Sequence, residues 1–268
     1  MGAFDLAGVR RLEYRIGGRE DTVMYIASKY LFGPAEAPGA AELNAAELKR
    51  IREAYSLRRA DRYTALVVGA AVRAAQGVEV AGTGTALVTA TAFGPHRTTF
   101  ATLDDILDYP EDQILPTRFS HSVHNAAASY VGVALQIQGP TLALAGFEDV
   151  WFEALELART LLDGGLCRRA LVIGAEERAL LTEHAHELWP ERFEAEPREG
   201  AAALLLSLDP AENRYGELKL DRTAAEGPGL FYFGGSREFF ESLERAEAGG
   251  VLTLRRREPW RGDGETML

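Results

Sequence analysis

Residues 142–165, LALAGFEDVWFEALELARTLLDGG, decide the fold. With Thr141 before them, the small apolar residues to Gly146 read as a short interior strand, and the glycine turns the chain sharply into a helix. From Asp149 to Leu162 the apolar set Val150, Trp151, Ala154, Leu155, Ala158, Leu161 and Leu162 repeats with helical period, and Asp163-Gly164-Gly165 stops it. A side chain at such a turn stands over the helix N-terminus, where free N–H groups and the macrodipole favour negative charge. A cysteine there becomes a reactive thiolate. Here the turn holds Glu148 and Asp149, carboxylates whose ordinary role is to stabilise the helix end.

Working outward, the chain alternates strand-like and helix-like stretches. TVMYIASKYLF (22–32) is strand material, and APGAAELNAAELKRIREAYS gives a polar start and a helix. RRADRYTALVVGAAVRAAQG (58–77) spaces Tyr63, Leu66, Val67, Ala70, Ala71 and Ala74 as a buried, alanine-rich helix closed by Gly77. TALVTATA (85–92) reads as a central strand, and a loop with a short helix follows through TLDDILDYPED. FSHSVHNAAASYVGVALQI (119–137) carries small residues on a helical repeat that permits close approach of another backbone; Gly139-Pro140 follows it. RALVIGAEE (169–177) and EGAAALLLSLD are continuous apolar strands, and YGELKLDRT (215–223) is a last one. Alternation on this scale predicts an α/β fold: a mixed, mostly parallel sheet sandwiched by helices. Two parts are expected, a folded domain over 1–223 and a peripheral C-terminal extension over 224–268 with one amphipathic stretch, SREFFESLERAEAGG.

Composition excludes several function classes. Forty acidic against 29 basic residues give a net charge of −11, which argues against a nucleic-acid surface, because phosphate neutralisation needs clustered Lys and Arg. The LRRRE run at 254–258 is the only dense basic cluster and reads as solvated. The opening MGAFDLAGVRRLEYRIGG lacks an apolar core, and no uncharged apolar run approaches the length of a membrane helix, so a cytoplasmic protein is expected, with no membrane partner. The lone Cys167 excludes an intrachain disulfide, suits a reducing compartment and reads as a structural small hydrophobe.

Other candidate chemistry is weaker. His121 and His124 are spaced H-x-x-H, and His184 and His186 H-x-H, but neither pair has a third ligand in a local motif, so no metal is expected. Ser120, Ser122 and His124 suggest a hydrolase, yet no G-x-S-x-G turn exists. AGTGTA (81–86) precedes a strand, whereas a dinucleotide loop precedes a helix, so no nucleotide cofactor is expected, nor any other.

The span from about Arg58 to Thr223 resembles the N-terminal half of a β-ketoacyl synthase, a half of the thiolase-like fold. RRADRYTALVVGAAVRAA, PTRFSHSVHNAAASYVGVALQIQGP, LCRRALVIGAEE and EGAAALLLSLD carry it, over roughly three-fifths of the chain. Ketosynthases follow a Gly-Pro with a short strand, a catalytic Ala-Cys-Ser turn, a helix, and an apolar strand ending in Gly-Gly-Ala-Glu. Gly139-Pro140 and Gly174-Ala175-Glu176 match the ends of that frame, and counting within it puts Glu148 at the cysteine position. The resemblance also implies two histidines from a second half, yet none of His96, His121, His124, His184 and His186 lies in the final 82 residues. With neither nucleophile nor bases, the chain is expected not to condense acyl groups alone.

Chain-length-factor subunits resemble ketosynthases, lack the cysteine and pair with an active ketosynthase. The chain is similar to a short version of these, as in aryl-polyene and related polyene pathways of the fatty acid and polyketide type. The resemblance implies a heterodimer that meets acyl carrier protein through the complex, with Phe147, Glu148 and Trp151 at the acyl tunnel and Phe119, Ser122, His124, Asn125 and Tyr130 at the interface. Two alternatives stand beside it: a stand-alone acyl-thioester decarboxylase or hydrolase using Glu148 or His124, and a pure scaffold whose bulky Phe147 and Trp151 fill the space above the turn. A half-fold also leaves an apolar face that the tail or another protein must cover.

Overall fold

The computed structural model describes residues 22–33, 43, 45–57, 60–114, 116–147, 149–193, 196–228 and 250–258. Its strands are β1 (Met24–Phe32), β2 (Thr85–Thr91), β3 (Thr141–Ala145), β4 (Arg169–Glu176), β5 (Gly200–Ser207), β6 (Glu217–Pro228) and β7 (Val251–Glu258). They form one mixed sheet in the order β3-β2-β4-β5-β1-β6-β7. β2 lies parallel to β3 and β4, and β6 parallel to β7. The pairings β4–β5, β5–β1 and β1–β6 are antiparallel. Every residue of β2, β4 from Ala170 on, and β5 is buried, so these strands carry apolar side chains on both faces rather than on alternate positions.

Each sheet face has its own helices. On one side α1 (Ala45–Ala54), α2 (Arg62–Ala74) and α5 (Ala126–Leu135) place Leu66, Val67, Ala70 and Ala127 over Leu87, Leu171, Ile173 and Leu205. The other side belongs to α6 (Val150–Asp163), whose Trp151, Leu155, Ala158 and Leu162 pack on Val88, Val172, Leu204 and Leu206. The alternation along each strand sorts these two sets. Asp61 caps α2 by accepting from the Thr64 N–H at 2.9 Å, and its second oxygen accepts from Thr98 on α3 (His96–Asp108) at 2.8 Å. Gly139 has no alternative at its position: a Cβ there would stand 2.1 Å from the Thr85 carbonyl oxygen.

Three expectations change. The strand 141–145 is an edge strand, with Thr141, Ala143 and Ala145 exposed; residues that small fit a buried centre or a close-packed edge equally well. The helical stretch 119–137 breaks into α4 (Pro116–His121) and α5, because the Ser122 N–H and hydroxyl both turn back on the Phe119 carbonyl. β6 runs on through Thr223 to Pro228, and β7, farther along the tail, pairs beside it. Leu218 and Leu220 of β6, with the half-buried Leu252 and Leu254 of β7, join the core under α6. The tail strand thus covers part of the apolar surface beside α6. The amphipathic stretch SREFFESLERAEAGG lies, but for Gly250, outside the described residues. Among the described residues no helix is long and apolar enough to cross a membrane.

Three buried glutamates tie the layers together. Glu199 accepts from Arg62 through both carboxylate oxygens, one at 2.7 Å, and from the Leu43 N–H. Glu176, at the end of β4, accepts from the Thr91 hydroxyl at 2.9 Å, the Phe93 N–H at 3.1 Å and the Ala92 N–H. Glu177 accepts from the Arg97 N–H at 2.7 Å at the start of α3. Burial pushes the pKa of Glu176 and of Glu177 up to about 8, against the pull of these donors.

Two outcomes are expected. Arg62→Met strands the Glu199 carboxylate and should cost about 3–5 kcal/mol in urea unfolding, with part recovered in the Arg62→Met/Glu199→Gln pair; equal midpoints for wild type and Arg62→Met would refute the clamp. Glu177 holds its proton in the folded state to about pH 8, while the unfolded chain releases it near 4.5. Its contribution is therefore full below the unfolded value and lost as pH rises through the folded one, by about 1.4 kcal/mol per pH unit in between. Glu176, raised to the same value, adds an equal slope, so unfolding free energies measured from pH 5 to 9 should fall about twice as steeply in the wild type as in Glu177→Gln.

Candidate functional site

The carboxyl ends of β2 and β3 converge on the turn into α6. Gly146 donates from its N–H to the Thr91 carbonyl at 3.1 Å, which fixes the end of β3 against the end of β2. Phe147 follows and is 58% exposed, its ring 5.7 Å from that of Phe93. Glu148 itself lies outside the described residues. Asp149 adopts a left-handed backbone (φ 49°), which an aspartate tolerates better than most residues, and its carbonyl accepts from the Glu153 N–H at 3.0 Å to begin the helix. Trp151, expected beside Phe147 at a tunnel, is instead 5% exposed and packed into the core under the sheet. The turn thus separates two neighbours that the sequence placed together.

Two histidines flank this turn. His124 rests on Gly94, whose Cα comes so close that a Cβ would lie 2.5 Å from the ring; burial lowers the pKa of His124. His96 is buried between the Gly94 carbonyl (3.2 Å from Nδ1) and Glu177 (3.8 Å), and loss of solvation lowers its pKa to about 4. Both rings are neutral at pH 7. Phe93 bridges the group: it meets His96 edge-on at 6.3 Å and packs with Ala185, Phe193 and Trp189 from α7 (Leu180–Leu188) and the segment after it. Sequence reasoning missed Phe93 and His96; the signal was Gly94-Pro95 at the end of a central strand, where a loop must turn over the site.

The remaining candidates disperse. His121 Nε2 lies 2.8 Å from the Tyr130 hydroxyl. Ser120 and Ser122 donate to the carbonyls of Thr117 and Phe119, so neither serine is activated by a histidine. His184 lies 3.6 Å from Glu187, and His186 stacks edge-on with Phe193. Among the described residues no group of three His, Cys, Asp or Glu side chains could hold a metal ion. The only thiol, Cys167, is buried just past the far end of α6, and burial raises its pKa. At 1.5 Å per residue, that helix sets it roughly 20 Å from the turn.

The interface candidates come from α4, α5 and the segment between them, where His124 is exposed. Phe119 and Asn125 are exposed, Ser122 and Tyr130 half-buried. Around them Leu103, Ile106 and Leu107 of α3 and Val133 of α5 are exposed, Leu107 at 82% and Val133 at 81%. The belt runs across α3, α4 and α5 to the open edge of β3.

The family model described as "Beta-ketoacyl synthase, N-terminal domain" matches residues 34–226. No curated protein matches the chain. Solved structures resemble it in fold. The ishigamide ketosynthase/chain length factor is 22% identical with a TM-score of 0.53, over 74% of this chain and 54% of that one. The ketosynthase (ApeO) in complex with its chain length factor (ApeC) from Xenorhabdus doucetiae is 16% identical with a TM-score of 0.61, over 85% and 96%. A β-ketoacyl synthase from Burkholderia phymatum STM815 is 12% identical with a TM-score of 0.52, over 69% and 59%. The chain therefore spans about half the length of the ishigamide protein's chain. With a match over most of its length and an α/β sheet of the same fold, this chain belongs to the β-ketoacyl synthase N-terminal domain family.

Proposed function

We propose that the chain is a non-catalytic, chain-length-factor-like subunit that pairs with an active β-ketoacyl synthase and shapes the far end of its acyl tunnel, in fatty acid or polyketide synthesis of the polyene type. The observation that carries this reading is the position of the thiol. Acyl transfer by a ketosynthase needs a thiolate at the strand-to-helix turn, and the one thiol here is buried beyond the far end of α6 with a raised pKa. Glu148 holds the corresponding place in sequence, and its neighbour Phe147 packs on Phe93 where an acyl chain would otherwise run. The exposed apolar side chains of α3, α4 and α5 and the open edge of β3 form a belt suited to a large, dry protein contact. Acyl carrier proteins are acidic, so a chain at −11 leaves their docking to the basic surface of the partner. Such a complex works in the cytoplasm.

Co-expression with an active ketosynthase should give a one-to-one complex by native mass spectrometry. Leu107→Asp with Val133→Asp should weaken it at least about 100-fold, near 2.7 kcal/mol. A stable chain that condenses or hydrolyses acyl thioesters alone, with turnover lost in Glu148→Gln, overturns the proposal. Within the complex, Phe147→Ala should lengthen the acyl products, read by mass spectrometry of carrier-bound intermediates; an unchanged length distribution assigns Phe147 to packing alone.

A further inference from the structure

The outer side of α3 carries an apolar stripe with carboxylates along one border. Phe100, Leu103 and Leu107 follow one another at spacings of three and four residues, Ile106 lies beside them, and all four are exposed, Leu107 at 82%. Asp104 and Asp108, four residues apart, border that stripe and are exposed. Past the helix end Tyr109, Glu111 and Asp112 are exposed as well. From Thr98 to Thr117 the chain has five acidic residues and no Lys, Arg or His. Of the five, Asp105 is met by Arg118 at 2.6 Å. Among the described residues Asp104, Asp108, Glu111 and Asp112 meet no cation.

Helix stability does not account for these carboxylates. The carbonyl end of a helix favours cations, yet the last turn of α3 holds no basic residue, and Asp105 and Asp108 stand there instead. Asp104 and Asp108 also repel each other across one turn. The helix thus carries carboxylates that weaken it beside large apolar side chains left in water, and one kind of occupant relieves both: a surface that brings apolar side chains edged by Lys or Arg. A second copy of the chain brings the same acidic border and the same net charge of −11, and nucleic acid or anionic lipid is repelled in the same way. We propose that α3 and the turn after it dock a protein surface whose apolar side chains are bordered by basic residues, with Asp104, Asp108, Glu111 and Asp112 selecting that charge. This rests on the reading of the belt as a protein contact, whatever the activity of the partner.

Two labelled synthetic amphipathic helices test this on the full chain by fluorescence anisotropy, one with a leucine face bordered by lysines and a twin with glutamates at the lysine positions. Saturable binding of the lysine peptide is expected, with the twin at least about tenfold weaker, and its affinity should fall as salt rises from about 0.05 to 0.5 M. Asp104→Asn with Asp108→Asn should weaken the lysine peptide at least about tenfold while Tm stays level or rises, because both carboxylates leave the unfavourable end of the helix; a purely structural role would lower Tm. Leu107→Ala should weaken it as well. Asp163→Asn with Glu187→Gln, which removes two exposed carboxylates from α6 and α7, should change it less than about twofold. Equal affinity for the two peptides overturns the proposal and leaves the belt a protein contact. Absence of saturable binding, equal losses in the two double variants, undiminished binding in Leu107→Ala, or affinity that rises with salt also overturns it, while complex formation with a ketosynthase, read separately, decides the proposed function.

Discussion

Glu176 ends β4 with its carboxylate turned sideways into the end of β2, where the Thr91 hydroxyl and the N–H groups of Ala92 and Phe93 all donate to it. A neutral apolar residue there would leave three buried donors without acceptors, each unfavourable by about 1–3 kcal/mol. The same Thr91 presents its carbonyl to Gly146 at the end of β3 and its hydroxyl oxygen to the Gly94 N–H. One buried carboxylate therefore fixes the strand end on which Phe93, Gly94 and the β3 turn are all referenced. Glu177 continues the device by accepting from the first turn of α3, and Asp61 joins that helix to α2. The site sits where sheet, turn and two helices are locked by acids that water does not reach.

That constraint explains what was legible in the sequence and what was not. Apolar runs such as ALVTAT, ALVIGA and AAALLLS read as strands with two buried faces because they are short and bounded by turns, whereas the longer, alanine-rich run of α2 is a buried helix. The period of α6 was equally plain, since Trp151, Leu155, Ala158 and Leu162 face one sheet surface. Edge against centre was not legible for β3: Ala143 and Ala145 fit either, and the neighbours that decide come from distant segments. The break after His121 was hidden for another reason. Ser122 competes for its own backbone, and propensity summed over small residues does not register one serine turning back on the Phe119 carbonyl.

The site residues divide along the same line. Local spacing put Phe147 at the turn, and the structure keeps it there against Phe93. Spacing linked His121 with His124, and the resemblance put Phe147 with Trp151; His121 instead pairs with Tyr130, while Trp151 is buried and Phe147 exposed. His96 gave no spacing signal at all. Its neutrality comes from burial that no short window reveals, against the opposing pull of the Gly94 carbonyl.

The end of the sheet poses a physical problem that the chain meets within itself. The helix over that end is α6, whose outer face is part charged and part apolar. Its outward residues include Glu153, Glu156 and Asp163, while Leu157 is only partly buried. The carboxylates are met by arginines of the β6–β7 ribbon, Arg222 on Glu156 and Arg256 on Glu153. Leu218, Leu220, Leu252 and Leu254 of the same ribbon cover the apolar remainder. Exposed pairs of this kind contribute little singly, but they orient the ribbon so that its leucines reach the helix. Among the described residues, exposed apolar side chains are densest on α3, α4 and α5 beside the β3 edge, with Leu180 and Leu188 of α7 and Val251 of β7 apart from them. A protein contact that removed this belt from water would approach from that side.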